Sequence, residues 1–180
     1  MEELSLRSIS ALLLTGSETM TETLNEKLSA FSNVEILTWL PYEEAYQVAM
    51  IAVGHGGTSH LWTGMSSGTP LLVIPSVGDQ VFGGSQVEKL NIGRMLNVEK
   101  GKSLLDKVLN KVEKNGGLDI KQCKKALNEL LDDPSILKSS HKLMKKMEKG
   151  GGAQAGALLV ERLANERTAI TQCTDNHCCC

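Results

Sequence analysis

Residues 53–80 read VGHGGTSHLWTGMSSGTPLLVIPSVGDQ. Six of the chain's 17 glycines, two of its four histidines and two of its four prolines fall in this stretch. An apolar run, MIAVG, ends at its first glycine, and a second, PLLVIP, follows Gly68. Between them TSHLWTGMSS has helical character, with Gly68 placed to terminate it. Two continuous apolar strands joined through a glycine turn and a helix describe a parallel βαβ unit, because a strand covered on both faces has no polar side to alternate with.

The same pattern extends outward. ALLLTG at 11–16 reads as a buried strand ending in a turn at Gly16. Thr19 and Glu22 then have capping-box spacing for a helix of about 19–31, with Leu24, Leu28 and Phe31 on one face. VEILTWLP supplies a second strand stopped by Pro41, YEEAYQVA a short helix, and GRMLNV a later edge strand. The implied fold class is α/β, a doubly wound parallel sheet with right-handed crossovers. Beyond it SLLDKVLNKV, IKQCKKALNELL, PSILKSSHKLMKKME after Asp133-Pro134, and AQAGALLVERLA predict C-terminal helices.

Composition excludes several classes. A content of 41% hydrophobic and 22% charged residues belongs to a globular chain. No apolar run approaches the roughly 20 residues of a membrane span, and no signal-like segment opens the sequence, which predicts a cytoplasmic address. The net charge of −2 conceals a split: residues 1–96 carry four basic and ten acidic side chains, residues 97–149 thirteen and eight. The lysines alternate with apolar residues at helical spacing and lack interleaved aromatics, so they read as solvated helix faces rather than a nucleic-acid surface. Four of the five cysteines crowd the end, CTDNHCCC, without the spacing of a disulfide framework or a metal site. Residues 166–180 are therefore expected to form a disordered tail, and no metal is expected.

The chemistry of 53–80 follows from its place. A strand that ends where a helix begins directs free amides and the positive end of the helix dipole to one point, an anion site. Gly56 and Gly57 let a diphosphate approach the backbone, and His55, Thr58 and Ser59 can add hydrogen bonds. Glycines at such turns also serve any doubly wound fold, so spacing alone leaves both readings open. GxGxxG and GxxxxGK[ST] are absent, which argues against hydride transfer and nucleotide hydrolysis.

The constellation HGG-x10-G-x-P-x4-P-x3-DQ from His55, with Pro41 of TWLP fourteen residues upstream, resembles the C-terminal donor-binding domain of GT-B glycosyltransferases of family 1, the UDP-glycosyltransferases and the bacterial macrolide enzymes. The resemblance covers about 11–165. It implies a Rossmann-like donor domain over 1–165 and a function: transfer of a hexose from a UDP- or dTDP-linked sugar to a small-molecule or lipid acceptor, with the nucleotide sugar as substrate and no cofactor or metal. It further implies that Trp39, Leu40 and Tyr42 hold the base, that His55, Gly56, Gly57, Thr58, Ser59 and His60 hold the diphosphate, and that Asp79 and Gln80 hold the sugar. Gly16 would let the backbone approach the donor from the facing strand.

The chain departs from the family at several points. Tyr42 and Thr63 stand where the plant signature has Gln and Glu, which leaves the base open. The resemblance implies an acceptor domain carrying the general base, in a longer chain or a partner, so the catalytic residue is not among these residues. It also implies a strand, a glycine turn and a helix ahead of ALLLTG, whose absence would leave central neighbours unpaired. Two alternatives are an N-acetylglucosamine transferase subunit of the cell-wall or dolichol type, and a non-catalytic remnant or interaction domain.

Overall fold

The computed structural model describes residues 9–96 and 120–175, with side chains to 166. Five parallel strands alternate with helices in the order β1 Ala11–Leu14, α1 Glu18–Leu28, β2 Val34–Leu37, α2 Tyr42–Val48, β3 Ala52–Gly54, α3 Thr58–Ser67, β4 Leu71–Val73, α4 Gly78–Lys89 and β5 Gly93–Met95. Helices α5 Ile120–Asp132, α6 Pro134–Lys149 and α7 Gly152–Asp175 follow. The expected α/β class and parallel strands are present. The expected helix at SLLDKVLNKV lies outside the described residues.

The strands form two ladders. β1 pairs with β2, Ala11 opposite Val34 and Leu14 opposite Leu37. β4 lies between β3 and β5, with Leu71 opposite both Ala52 and Gly93. Among the described residues no backbone bond joins β1 to β3. The described strands thus form a two-stranded and a three-stranded sheet, where the sequence reading expects one doubly wound sheet.

The core lies around β4. Leu71 and Val73 face one side, where they pack with Tyr46, Ala52, Val87 and Ile92. Leu72 faces the other and packs with Leu96, Ala126, Leu130 and Ile136 from α5 and α6. Burial of each leucine, isoleucine and valine among them stabilises by roughly 1.5–3 kcal/mol. β1 is as apolar in sequence as β4, and β2 carries Glu35 among apolar residues, but no side chain of either strand is fully buried.

Local signals explain the helix limits. Gly68 ends α3 in the left-handed conformation, φ 71°, which glycine adopts without a Cβ clash. Asp133 caps α6 by accepting from the Ser135 amide, with Pro134 at the first helical position. The cap of α1 differs from the capping box expected at Thr19 and Glu22: Ser17 is the N-cap and accepts from the Met20 amide, so Thr19 lies inside the helix. Helix α4 has no counterpart in the sequence reading; its Gly83 and Gly84 are buried, where they admit Leu61 and Met95 at close range. Helix α7 continues to Asp175, into the stretch expected as a disordered tail. Among the described residues no helix is long and apolar enough to cross a membrane.

Candidate functional site

The site is built at the carboxyl ends of the strands, where the crossover rule places ligands in open α/β sheets. β3 ends at Gly54, and residues 55–57 lead into α3. Gly57 is the N-cap and offers no side-chain acceptor, so the first amides of α3 are left for an incoming group. Gly56 is buried with φ 82°. A Cβ there would lie 2.6 Å from Val73 Cγ1 and 3.4 Å from the Gln80 carbonyl oxygen. Gly56 thus packs directly on the first turn of α4, and the amino termini of α3 and α4 converge on it, each contributing the positive end of its dipole.

Side chains of the expected diphosphate set divide at this point. His55, Thr58 and Ser59 are exposed around the loop, and the His55 ring lies over Gly57. His60 is placed differently. Its ring is 6% exposed and packs against Gly54, with Nδ1 hydrogen-bonded to the Tyr46 hydroxyl and Nε2 unpartnered among the described residues. Burial, and secondarily the charge of His55, push its imidazole down from 6.5 to about 4. Burial, reinforced by Tyr42, pushes the Tyr46 phenol up to about 12. Both groups are neutral at pH 7, so the anion-attracting elements are the helix termini, the amides and the exposed hydroxyls.

Asp79 is exposed in the first turn of α4. Gln80 uses Oε1 to accept from the amides of Ser76, at 2.8 Å, and Val77, at 3.3 Å. It therefore orders its own turn, and its side-chain amide donors remain for a ligand.

The expected base-binding residues occupy the turn after β2. Trp39 is 73% exposed. Tyr42 is exposed and Leu40 half-buried. Gly16, φ 68° and open to solvent, donates its amide to the Thr38 carbonyl at 2.9 Å, which ties the turn after β1 to the Trp39 turn. The hydroxyls of Thr15, Thr21 and Thr38 form a chain beneath it, Thr15 to Thr21 at 2.6 Å and Thr21 to Thr38 at 3.1 Å. This threonine cluster has no sequence signature, since its members lie 6 and 17 residues apart.

Gly16 and Trp39 therefore belong to one group, and the 55–59 loop with Asp79 and Gln80 to another. Aromatic contacts link them. The Tyr42 and Tyr46 rings lie 6.1 Å apart, and Tyr46 meets His60 edge-on at 5.8 Å. A separate cavity of about 470 Å³ is lined by Met50, Ile51, Thr69, Pro70, Leu131 and Leu137. It lies at the amino ends of β3 and β4, opposite the glycine loop.

Known proteins are similar to this chain in sequence and in fold. The oleandomycin glycosyltransferase of Streptomyces antibioticus is 23% identical over 129 residues, 72% of this chain and 26% of that protein. The NDP-glycosyltransferase YjiC of Bacillus licheniformis is 24% identical over 129 residues, 72% and 28% respectively. The chain thus spans between a quarter and a third of these curated relatives. In structure it is similar to the glycotransferase of kitacinnamycin, with a TM-score of 0.62 and 23% identity over 86% of this chain and 43% of the other. It is similar also to the calicheamicin glycosyltransferase CalG4, with a TM-score of 0.63 and 17% identity over 88% and 44%. Residues 2–144 match the glycosyltransferase family 28 C-terminal domain, and the chain belongs to that family.

Proposed function

We propose that this chain is the nucleotide-sugar donor-binding half of a glycosyltransferase that transfers a hexose from a UDP- or dTDP-linked donor. The observation that carries the reading is the convergence of the α3 and α4 amino termini on Gly56, with Thr58, Ser59 and Asp79 exposed around it. A diphosphate suits that point, because charge that builds on a leaving diphosphate meets fixed dipoles that need no reorganisation. Trp39 offers an aromatic face for the base, and Asp79 with the Gln80 amide offers acceptors and donors for sugar hydroxyls. His60, buried against Tyr46, supports the loop from behind through its ring while its backbone amide stays in the first turn of α3.

In this reading the acceptor and the general base come from a domain elsewhere in a longer chain or in a partner. The reaction needs no metal or other cofactor, and its address is the cytoplasm. UDP is named in the solved complex of Os79 from O. sativa, to which this fold is similar with a TM-score of 0.64, 19% identity and coverage of 86% of this chain and 34% of the other. Isothermal titration with UDP, dTDP and their hexose conjugates tests the proposal. Saturable binding is expected, weakened by His55→Ala and Asp79→Ala. Silence for every nucleotide would overturn it.

A further inference from the structure

We infer that Tyr46 and His60 are positioning residues: together they set the spacing between the turn that carries Trp39 and the glycine loop, so that a nucleoside diphosphate is held at both ends at once. The inference rests on the donor-binding reading of the site, and it gives a role to two side chains that lie in the core behind that site.

The two halves of the site stand on different ladders. Gly16 and Trp39 follow β1 and β2, while the 55–59 loop follows β3. Between β2 and β3 runs α2, seven residues and about 10 Å long. A helix this short is marginal in isolation, so its placement comes from packing. Its buried residue is Tyr46.

Tyr46 is held at two points along α3. Its carbonyl accepts from Thr69 Oγ1 at 2.7 Å, just past the carboxyl end of that helix, and its hydroxyl is hydrogen-bonded to His60 Nδ1 in the first turn. The three residues are buried, at 4–9% exposure. Toward the base side, the Tyr46 ring lies 6.1 Å from that of Tyr42, one helical turn nearer to Trp39. Toward the diphosphate side, the His60 ring fills the space beside Gly54, where a Cβ would lie 2.8 Å from Nδ1, at the point where β3 gives way to the loop. A path of packed groups therefore runs from Tyr42 through Tyr46 and His60 to Gly54. Thr58 and Ser59 point outward from the same turn of α3 that turns His60 inward.

A ligand with a base at one end and a diphosphate at the other gains over its separate parts only where both ends are met simultaneously. A bond that fixes the spacing of the two halves therefore adds to the affinity of the joined molecule and not to that of either part. Tyr46→Phe removes the bond to His60 and retains the ring, so it frees α2 to shift against α3 without dismantling either half.

Titrations of the full chain and its variants test this, with UDP or dTDP, whichever the unaltered chain binds more tightly, with the matching nucleoside, and with inorganic pyrophosphate. Tyr46→Phe is expected to raise the Kd for the nucleoside diphosphate by about tenfold or more and to leave those for nucleoside and pyrophosphate within about twofold. Thr69→Val, which removes the other hold on Tyr46, is expected to act in the same direction. His60→Asn, whose amide can meet the Tyr46 hydroxyl where Nδ1 does, is expected to bind the nucleoside diphosphate more tightly than His60→Ala. Ile136→Val loosens the core on the other face of the sheet, and is expected to bind all three ligands as the unaltered chain does, which separates spacing from stability. An unchanged Kd for the nucleoside diphosphate in Tyr46→Phe, or equal losses for all three ligands, would overturn this inference alone. Binding of no nucleotide by the unaltered chain would overturn the donor-binding reading and this inference with it.

Discussion

The Tyr46 hydroxyl and His60 Nδ1 are hydrogen-bonded in the core directly behind the glycine loop, which couples α2 to the first turn of α3. Both groups are buried, so deletion of one leaves the other without a partner. Tyr46→Phe is expected to lower stability by about 1–3 kcal/mol. Urea denaturation measures it, and an unchanged midpoint would show that the bond contributes nothing.

His60 also sets a pH dependence. Its pKa is lowered from 6.5 to about 4, so between those values the unfolded chain binds more protons than the folded one. The contribution is fully present above pH 6.5 and is lost as pH falls through about 4, a total on the order of 3 kcal/mol. A melting temperature that declines from pH 6.5 to pH 4 is expected, with a shallower decline in His60→Gln. Tyr46→Phe is expected to retain the slope, because burial and then His55, not Tyr46, cause the shift. Asp133, lowered by its bonds to Ser135, acts in a separate window, below the ordinary carboxylate value of 3.8.

Gly56 and Gly16 provide a matched comparison. Both have positive φ, at 82° and 68°, but a Cβ at Gly56 would meet Val73 while one at Gly16 would meet nothing within 4 Å. Gly16→Ala is expected to cost about 1–2 kcal/mol from its backbone alone. Gly56→Ala adds an overpacking cost of about 1–3 kcal/mol and shifts the loop against α4. Equal denaturation midpoints for the two variants would contradict this geometry.

Much of this was legible in the residues themselves. The βαβ unit around VGHGGTSHL could be read because its strands are continuous apolar runs and Gly68 marks the helix end. Helix α4 could not, because GDQVFGGSQVEK has no apolar stripe and its paired glycines look like breakers. In three dimensions Gly83 and Gly84 are contact points, where a missing side chain admits Leu61 and Met95. His60 reads in sequence as one more ligand in a polar loop. Only the fold brings Tyr46, 14 residues away, to its ring and turns it inward. Gln80 likewise reads as a sugar contact, while half its hydrogen-bonding capacity serves its own turn.

Arg94 connects the edge strand β5 to the C-terminal helices. Its Nε donates to Glu129 Oε2 at 2.7 Å, and its Nη1 donates to the Gly93 carbonyl at 2.9 Å. The pair is partly screened, at 23% and 40% side-chain exposure. A double-mutant cycle of Arg94→Met and Glu129→Gln is expected to return a coupling of about 0.5–1 kcal/mol, reduced in high salt. A null coupling would mean that this ion pair adds nothing measurable to the packing of α5 on the core through Cys123, Ala126 and Leu130.

Trp39 separates a binding role from a packing one. At 73% exposure its indole contributes little to the core, so Trp39→Ala is expected to change stability by no more than about 0.5 kcal/mol. If the ring stacks on the base of a nucleotide sugar, the same change weakens UDP or dTDP binding by about 1–3 kcal/mol, roughly 5- to 150-fold. The chain has one other tryptophan, Trp62, 60% exposed on α3, which serves as the control. Nucleotide-dependent quenching of indole fluorescence is expected to survive Trp62→Phe and to vanish in Trp39→Ala. Quenching that follows Trp62 instead would move the base to the flank of α3 and leave the turn after β2 without a ligand.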